Sequence, residues 1–329
     1  MTAARQLISL LQSHLDGDED QFLAVAMQIA AHEARQGHGK LATELRELVE
    51  KARDRSRLPT KRPTSGPIPL AQPKGELSSL VSVRYSDTRL SSMVLPDVIE
   101  TRLKRIIAEQ RQQHRLRDAG LLPRRRLLLV GPPGSGKTLT ATALAGELQL
   151  PLFTVVLEAL MSKFMGETAS KLKLIFDAMA VTKGVYLFDE FDAIGARRGE
   201  HNDVGEIRRI LNSFLQFVDT DTSDSLIIAA TNHPELLDPA LFRRFDDVIE
   251  YGLPDHTLGE RILRNRLRTF KKRDVDFAAA AKLGAGLSQA DLVRAADDAA
   301  KHALLANRKQ IKHDDLIVAL TERSSGPRR

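Results

Sequence analysis

The spacing of apolar positions changes along the chain, and each change marks a segment. Up to Arg57 they recur at helical spacing: Leu41, Leu45, Leu48, Val49 and Ala52 fall on one stripe, with further stripes through Leu7, Leu11 and Leu15 and through Phe22, Ala26 and Ile29. Asp16-Gly17-Asp18 and Gly37-His38-Gly39 break the pattern between them. A small three-helix N-terminal domain is therefore expected over residues 1–57. Pro59, Pro63, Pro67, Pro69 and Pro73, with Gly66 and Gly75, then predict an extended linker over residues 58–76, because proline fixes φ and donates no N–H. From residue 77 short β-rich runs at 127–130, 152–157, 185–188, 225–230 and 248–251 alternate with helix-length segments. Largely apolar strands separated by helix-length segments predict a parallel sheet covered on both faces over residues 77–255. Beyond about Leu258 helical patterns around Ile262, Phe277, Leu292 and Leu316 predict an all-helical lid over residues 256–322, with Ser288 and Asp291 spaced for a capping box, and a short tail at 323–329. The expected class is α/β, an αβα parallel sheet with a helical lid.

Composition narrows the chemistry. With no Cys among 329 residues, disulfides, Cys-ligated zinc, iron–sulfur clusters and thiol nucleophiles are excluded. No apolar run approaches the ~18–20 residues needed to cross a bilayer, and residues 1–20 lack a basic end followed by an apolar stretch, so no membrane span and a cytoplasmic location are expected. His32-Glu33 is not a metalloprotease helix, since Gln36 stands where the second His is required. The net charge of +6 raises the question of nucleic acid. The basic clusters at 124–126 and 271–273 lack interleaved aromatics, however, and are expected to be solvated or inter-subunit surface.

Gly131-Pro132-Pro133-Gly134-Ser135-Gly136-Lys137-Thr138 fits G-x-x-x-x-G-K-[ST] and lies between the 127–130 run and the helical stretch 139–148. Such a loop turns peptide N–H groups around phosphates at a helix N-terminus, with Lys137 reaching the β and γ phosphates and Thr138 a ligand for Mg²⁺. Pro133, Gly134, Ser135, Gly136, Lys137, Thr138 and Leu139 are the expected nucleotide contacts. The 185–188 strand runs into Asp189-Glu190, placing Asp189 as a metal ligand and Glu190 as the base for the attacking water, with Asp192 organising the loop. Asn232, after the next strand, either orients that water or is a turn residue. Arg243 and Arg244 follow Leu237-Asp238-Pro239-Ala240-Leu241-Phe242, where a guanidinium either stabilises γ-phosphate charge in a neighbouring subunit or makes surface salt bridges.

This ordered set, continued by Gly286-Leu287-Ser288-Gln289-Ala290-Asp291, resembles the AAA family of AAA+ ATPases over roughly residues 77–322. The resemblance implies a P-loop NTPase domain with a helical lid, Mg²⁺-dependent hydrolysis of ATP at subunit interfaces, and a homo-oligomeric ring, usually a hexamer. It makes Asn232 the sensor 1 residue, assigns Arg243 and Arg244 to the arginine-finger region, and places Ala290 near the adenine and ribose. It also makes Lys163, Phe164, Met165 and Gly166 a first pore loop that grips polypeptide, with a second near 197–201. The Pro-Gly spacer the family usually carries beside its arginines is missing here, so which arginine reaches the phosphate stays open. The layout is similar to that of spastin and katanin, with residues 1–57 recruiting a protein substrate or adaptor. The expected function is an ATP-driven ring that unfolds, threads or remodels proteins, any protease being a separate chain. The alternatives are a nucleic-acid-stimulated ATPase and a regulatory ATPase that switches an assembly without threading.

Overall fold

The computed structural model describes residues 25–27, 29–30, 32, 43, 73, 75–160, 167–195 and 204–325. The chain forms two compact units, Met1–Ile68 and Pro69–Arg329. In the first, Val25, Ala26, Met27, Ile29, Ala30, His32 and Thr43 are helical, and Ala26 and Ala30 are buried. The remaining expectations for residues 1–57, and the pore-loop segments at 163–166 and 197–201, lie outside the described residues.

The second unit is built on a six-stranded sheet of order β1-β3-β4-β5-β2-β6. Its strands are β1 (Val81–Arg84), β2 (Arg126–Val130), β3 (Leu152–Val155), β4 (Val185–Phe188), β5 (Leu226–Thr231) and β6 (Asp247–Glu250). Helices of more than one turn are α1 (Asp97–Arg111), α2 (Gln113–Asp118), α3 (Lys137–Leu148), α4 (Glu167–Val181) and α5 (Val204–Thr220), then α6 (His256–Arg266), α7 (Phe277–Leu283), α8 (Gln289–Leu305) and α9 (His313–Ser325) in the C-terminal part. Alternate residues of β2 serve opposite layers. Leu128 and Val130 pack with Ile175 and Phe176 of α4 and Phe214 of α5, while Leu127 and Leu129 pack with Leu103 of α1 and Leu144 of α3. Burial on both faces is the physical reason these strands read as unbroken apolar runs.

Two features depart from the expected pattern. The sheet is not wholly parallel, because β1 runs antiparallel to β3, Val81 opposite Val155 and Arg84 opposite Leu152. This four-residue edge strand is only partly buried, so its Val-Ser-Val-Arg gives no continuous apolar run. The lid is also not all-helical: β7 (Lys271–Arg273) and β8 (Gln310–Lys312) form a two-stranded parallel sheet. Their sequences, Lys-Lys-Arg and Gln-Ile-Lys, contain one buried apolar side chain, Ile311, and leave nothing for a hydrophobic pattern to detect.

Around that pair, Ala295, Ala296, Ala299, Ala300 and Ala303 of α8 form a small-residue stripe packed in one core with Ile262 and Leu263 of α6 and Leu316 and Leu320 of α9. Side-chain caps start the helices. Asp255 accepts from the Leu258 N–H at 2.7 Å, and Asp276 accepts from the N–H groups of Ala278 and Ala279. Ser288 accepts from the Asp291 N–H at 3.2 Å, but the Asp291 carboxylate takes the Ser288 hydroxyl at 2.7 Å, in place of the reciprocal backbone bond of a full capping box.

Candidate functional site

Three strands of the parallel sheet end side by side. β2 is paired with β5, β5 is paired with β4, and each strand's C-terminal end delivers a polar segment: Gly131–Thr138 after β2, Asp189-Glu190 after β4 and Asn232 after β5. This is the edge at which open α/β sheets bind ligands.

Lys137 joins the segments. Its side chain is buried, and Nζ donates to the carbonyls of Gly131 at 2.8 Å and Pro132 at 2.9 Å and to Asn232 Oδ1 at 2.8 Å. An ammonium carries three donors, so all are engaged. Burial holds the Lys137 pKa below the ordinary lysine value, against the opposing pull of Asp189 and Asp192. Thr138 Oγ1 donates to Asp189 Oδ2 at 2.7 Å, while Asp189 Oδ1 accepts from the Glu190 N–H at 3.0 Å.

Glu190 adopts φ of 52°, a left-handed conformation that costs a side-chain-bearing residue about 1–2 kcal/mol. Its neighbours hold it there. Phe191 is fully buried in an aromatic cluster, 4.8 Å from Phe214 and 6.4 Å from Phe188, and its N–H donates to the Ala230 carbonyl at 2.8 Å. The exposed Glu190 side chain thus projects from a turn anchored in the core. Asp192 does the organising work expected of it: its Oδ1 accepts from Thr231 Oγ1 at 2.7 Å, and Thr231 Oγ1 accepts from the His233 N–H at 2.9 Å.

The lid reaches the same loop. The Ala290 N–H donates to the Gly134 carbonyl at 3.0 Å, and a Cβ built on Gly134 would stand 2.6 Å from Ser288 Oγ. With φ of 74° as well, that position accepts only glycine. Leu139 and Pro133 are exposed beside it.

The residues fit a nucleotide phosphate and its cation. Ser135 Oγ is buried with no hydrogen-bond partner, and the first N–H groups of α3 have no acceptor within the helix, so the loop holds unspent donors. Thr138 and Asp189 offer hard oxygen donors. Among the described residues no group of three or more His, Asp or Glu could hold a metal ion.

Arg243 and Arg244 do not join this cluster. They precede the N-terminal end of β6, which is parallel to β2, whereas the loop follows the C-terminal end of β2. At ~3.3 Å per residue, the four-residue strand separates the two ends by roughly 10 Å or more. Arg244 is paired with Asp219 of α5 at 3.2 Å, while Arg243 is exposed and enters no ion pair among the described residues. The nearby basic cluster is also engaged: Arg124 pairs with Glu109 at 3.2 Å and Arg125 with Asp221. Tyr251 and Thr140, which no sequence motif marks, lie behind the loop and are hydrogen-bonded to each other.

Residues 127–253 match the family "ATPase family associated with various cellular activities (AAA)". The chain is 33% identical over 322 residues to the AAA family ATPase y4kL of Sinorhizobium fredii, covering 97% of this chain and 95% of the relative. It is 35% identical over 262 residues to the ATP-dependent zinc metalloprotease FtsH 3 of Sphaerobacter thermophilus, covering 78% of this chain and 54% of that one. To the proteasome-activating nucleotidase of Pyrococcus horikoshii it is 38% identical over 210 residues, 62% of this chain and 53% of the relative. The chain therefore spans about half the length of the protease and the nucleotidase, and nearly the whole of y4kL.

Proposed function

The chain belongs to the AAA family of ATPases, and on that premise we propose that it hydrolyses Mg²⁺-bound ATP in a ring of its own copies, a hexamer, to remodel protein substrates. The observation that carries the reading is the meeting of Lys137, Thr138, Asp189 and Asn232 at three adjacent strand ends. Peptide N–H groups of 133–138 and the Lys137 ammonium hold the phosphates, exchanging present hydrogen bonds for charge-assisted ones. Thr138 and Asp189 would hold Mg²⁺, which neutralises charge developing on the β and γ oxygens. Glu190 takes the proton of the attacking water, and Asn232 orients that water. Ala290 and the start of α8 close over the nucleotide from the lid.

Arg243 is the finger that completes a neighbour's site. Its freedom from ion pairing within the described residues supports this, whereas Arg244 is held by Asp219. The position of both at the far end of β6 from the chain's own loop agrees with action between subunits. Arg243→Ala should lower turnover about 10³-fold or more, with Arg244→Ala much milder, in a steady-state ATPase assay. Glu190→Gln should retain nucleotide and stop hydrolysis; unchanged turnover would refute its role as base.

Similarity to proteins named as an ATP-dependent protease and a proteasome activator supports polypeptide as the substrate class, gripped by Lys163, Phe164, Met165 and Gly166. Residues 1–57 would recruit the client or an adaptor through the 58–76 linker, with residues 77–255 as motor and 256–322 as lid. Phe164→Ala should leave basal ATPase intact while abolishing processing of an unfolded model protein; retained processing would contradict threading and favour a regulatory switch. The nucleic-acid alternative is weakened by the pairing of Arg124 and Arg125 with acids of the same chain.

A further inference from the structure

Tyr251 follows β6 directly, and it touches both ends of the phosphate loop. At the entrance, its N–H donates to the Val130 carbonyl at 2.8 Å, and a Cβ on Gly131 would fall 2.3 Å from the Tyr251 carbonyl oxygen. Only glycine allows that approach. At the exit, the Tyr251 hydroxyl lies 2.7 Å from Thr140 Oγ1, and Thr140 Oγ1 donates to the Gly136 carbonyl at 3.0 Å. A threonine hydroxyl has one hydrogen. With that hydrogen on the Gly136 carbonyl, the Tyr251 hydroxyl is the donor to Thr140, and the contacts run from Tyr251 through Thr140 to Gly136.

Both side chains are buried, with Thr140 0% and Tyr251 4% exposed. A buried hydroxyl pair is tolerated only when satisfied, and here each satisfies the other beside an apolar layer made mostly of Leu, Ile and Ala side chains. The polar atoms are not needed to fill space, since Phe and Val would do that. What they add to is the hold on the Gly136 carbonyl, which also accepts the Thr140 N–H at 2.9 Å; Gly136, with its left-handed φ of 100°, starts α3 immediately before Lys137. Burial raises the Tyr251 phenol to about 12, so it remains a donor throughout the physiological range.

We propose that Tyr251 and Thr140 are positioning residues that hold the Gly136 peptide, and so the phosphate loop, in its nucleotide-binding geometry. Tyr251 also stands between the arginine segment, through β6, and Asp255, which caps the first lid helix. The inference rests on the reading of Gly131–Thr138 as the phosphate cradle.

The test measures the dissociation constant of mant-ADP and the apo-protein melting temperature for Tyr251→Phe, Thr140→Val, Thr140→Ser and the double variant Tyr251→Phe/Thr140→Val. Each of the first two should weaken mant-ADP binding about twofold to tenfold, the range expected for one hydrogen bond. Thr140→Val should also lower the melting temperature by leaving the tyrosine hydroxyl unpaired, while Thr140→Ser should keep affinity near wild type. In the double variant both partners are apolar, so stability should recover while affinity stays weakened. Recovery of affinity together with stability would reduce the pair to a structural contact and overturn the proposal, as would unchanged affinity in both single variants. Failure of the wild-type protein to bind mant-ADP would instead contradict the cradle itself, and with it the proposal.

Discussion

Lys137 shows how much of the site one side chain can organise. Its three donors link the loop carbonyls of Gly131 and Pro132 to Asn232, a residue 95 positions away in sequence. On the proposed reading Asn232 would be coupled to the occupancy of the loop, since phosphates that drew Lys137 away would free the Asn232 carboxamide to orient the attacking water. Asn232→Ala is therefore expected to lower kcat by roughly 10²-fold or more while changing nucleotide affinity little, a split that steady-state kinetics with mant-ADP binding resolves. A Kd loss as large as the kcat loss would show that Asn232 serves the loop and not the water. Lys137, Thr138, Asp189 and Glu190 were legible in the sequence because their chemistry is packed into short motifs at strand ends. The pairings Arg244–Asp219 and Tyr251–Thr140 were not, because each joins residues whose separation in sequence is set by the fold and whose types are common.

At the scale of elements, the strands that position the site were readable because burial on both faces demands apolar residues at every step. β1, β7 and β8 escaped the same reading, being short and largely polar and held by backbone pairing with a neighbour. The turn after β4 depends on packing. Phe214 is fully buried against Phe176, Phe188 and Phe191, so Phe214→Ala should cost about 3–5 kcal/mol in denaturant unfolding and loosen the Glu190 turn at the same time.

The lid has its own pH signature. The Asp276 pKa is lowered by the Ala279 N–H it caps, Asp298 by its hydrogen bond to Arg323, and Asp315 by its hydrogen bond to Arg308. A carboxylate depressed in the folded state stabilises the fold above its unfolded pKa, about 3.9, and loses that contribution as pH falls through the folded value. Thermal stability should thus be insensitive to these groups near neutrality and fall below about pH 4, less steeply in Asp298→Asn. A melting temperature of Asp298→Asn that tracks wild type across that acid range would contradict the assignment.

For the whole molecule, the sheet separates two kinds of functional group. The phosphate loop and its acids lie at the C-terminal strand ends, and the arginines lie at the opposite end of the edge strand β6. A chain so arranged fits the proposed ring, in which one copy would hold nucleotide and its neighbour would offer the guanidinium. Among the described residues Arg102, Arg117, Arg124 and Arg125 are each paired with an acid of the same chain, which leaves less of the +6 charge to argue for a nucleic-acid surface. Among the described residues no helix is long and apolar enough to cross a membrane. The most direct test of a site shared between copies is ATP turnover by Glu190→Gln and Arg243→Ala proteins, each inactive alone, after they are mixed and allowed to exchange subunits. Arg243→Ala subunits keep their own base and would receive an intact arginine from Glu190→Gln neighbours, so turnover should reappear on mixing. Turnover that stays at the level of the separate variants would contradict the account.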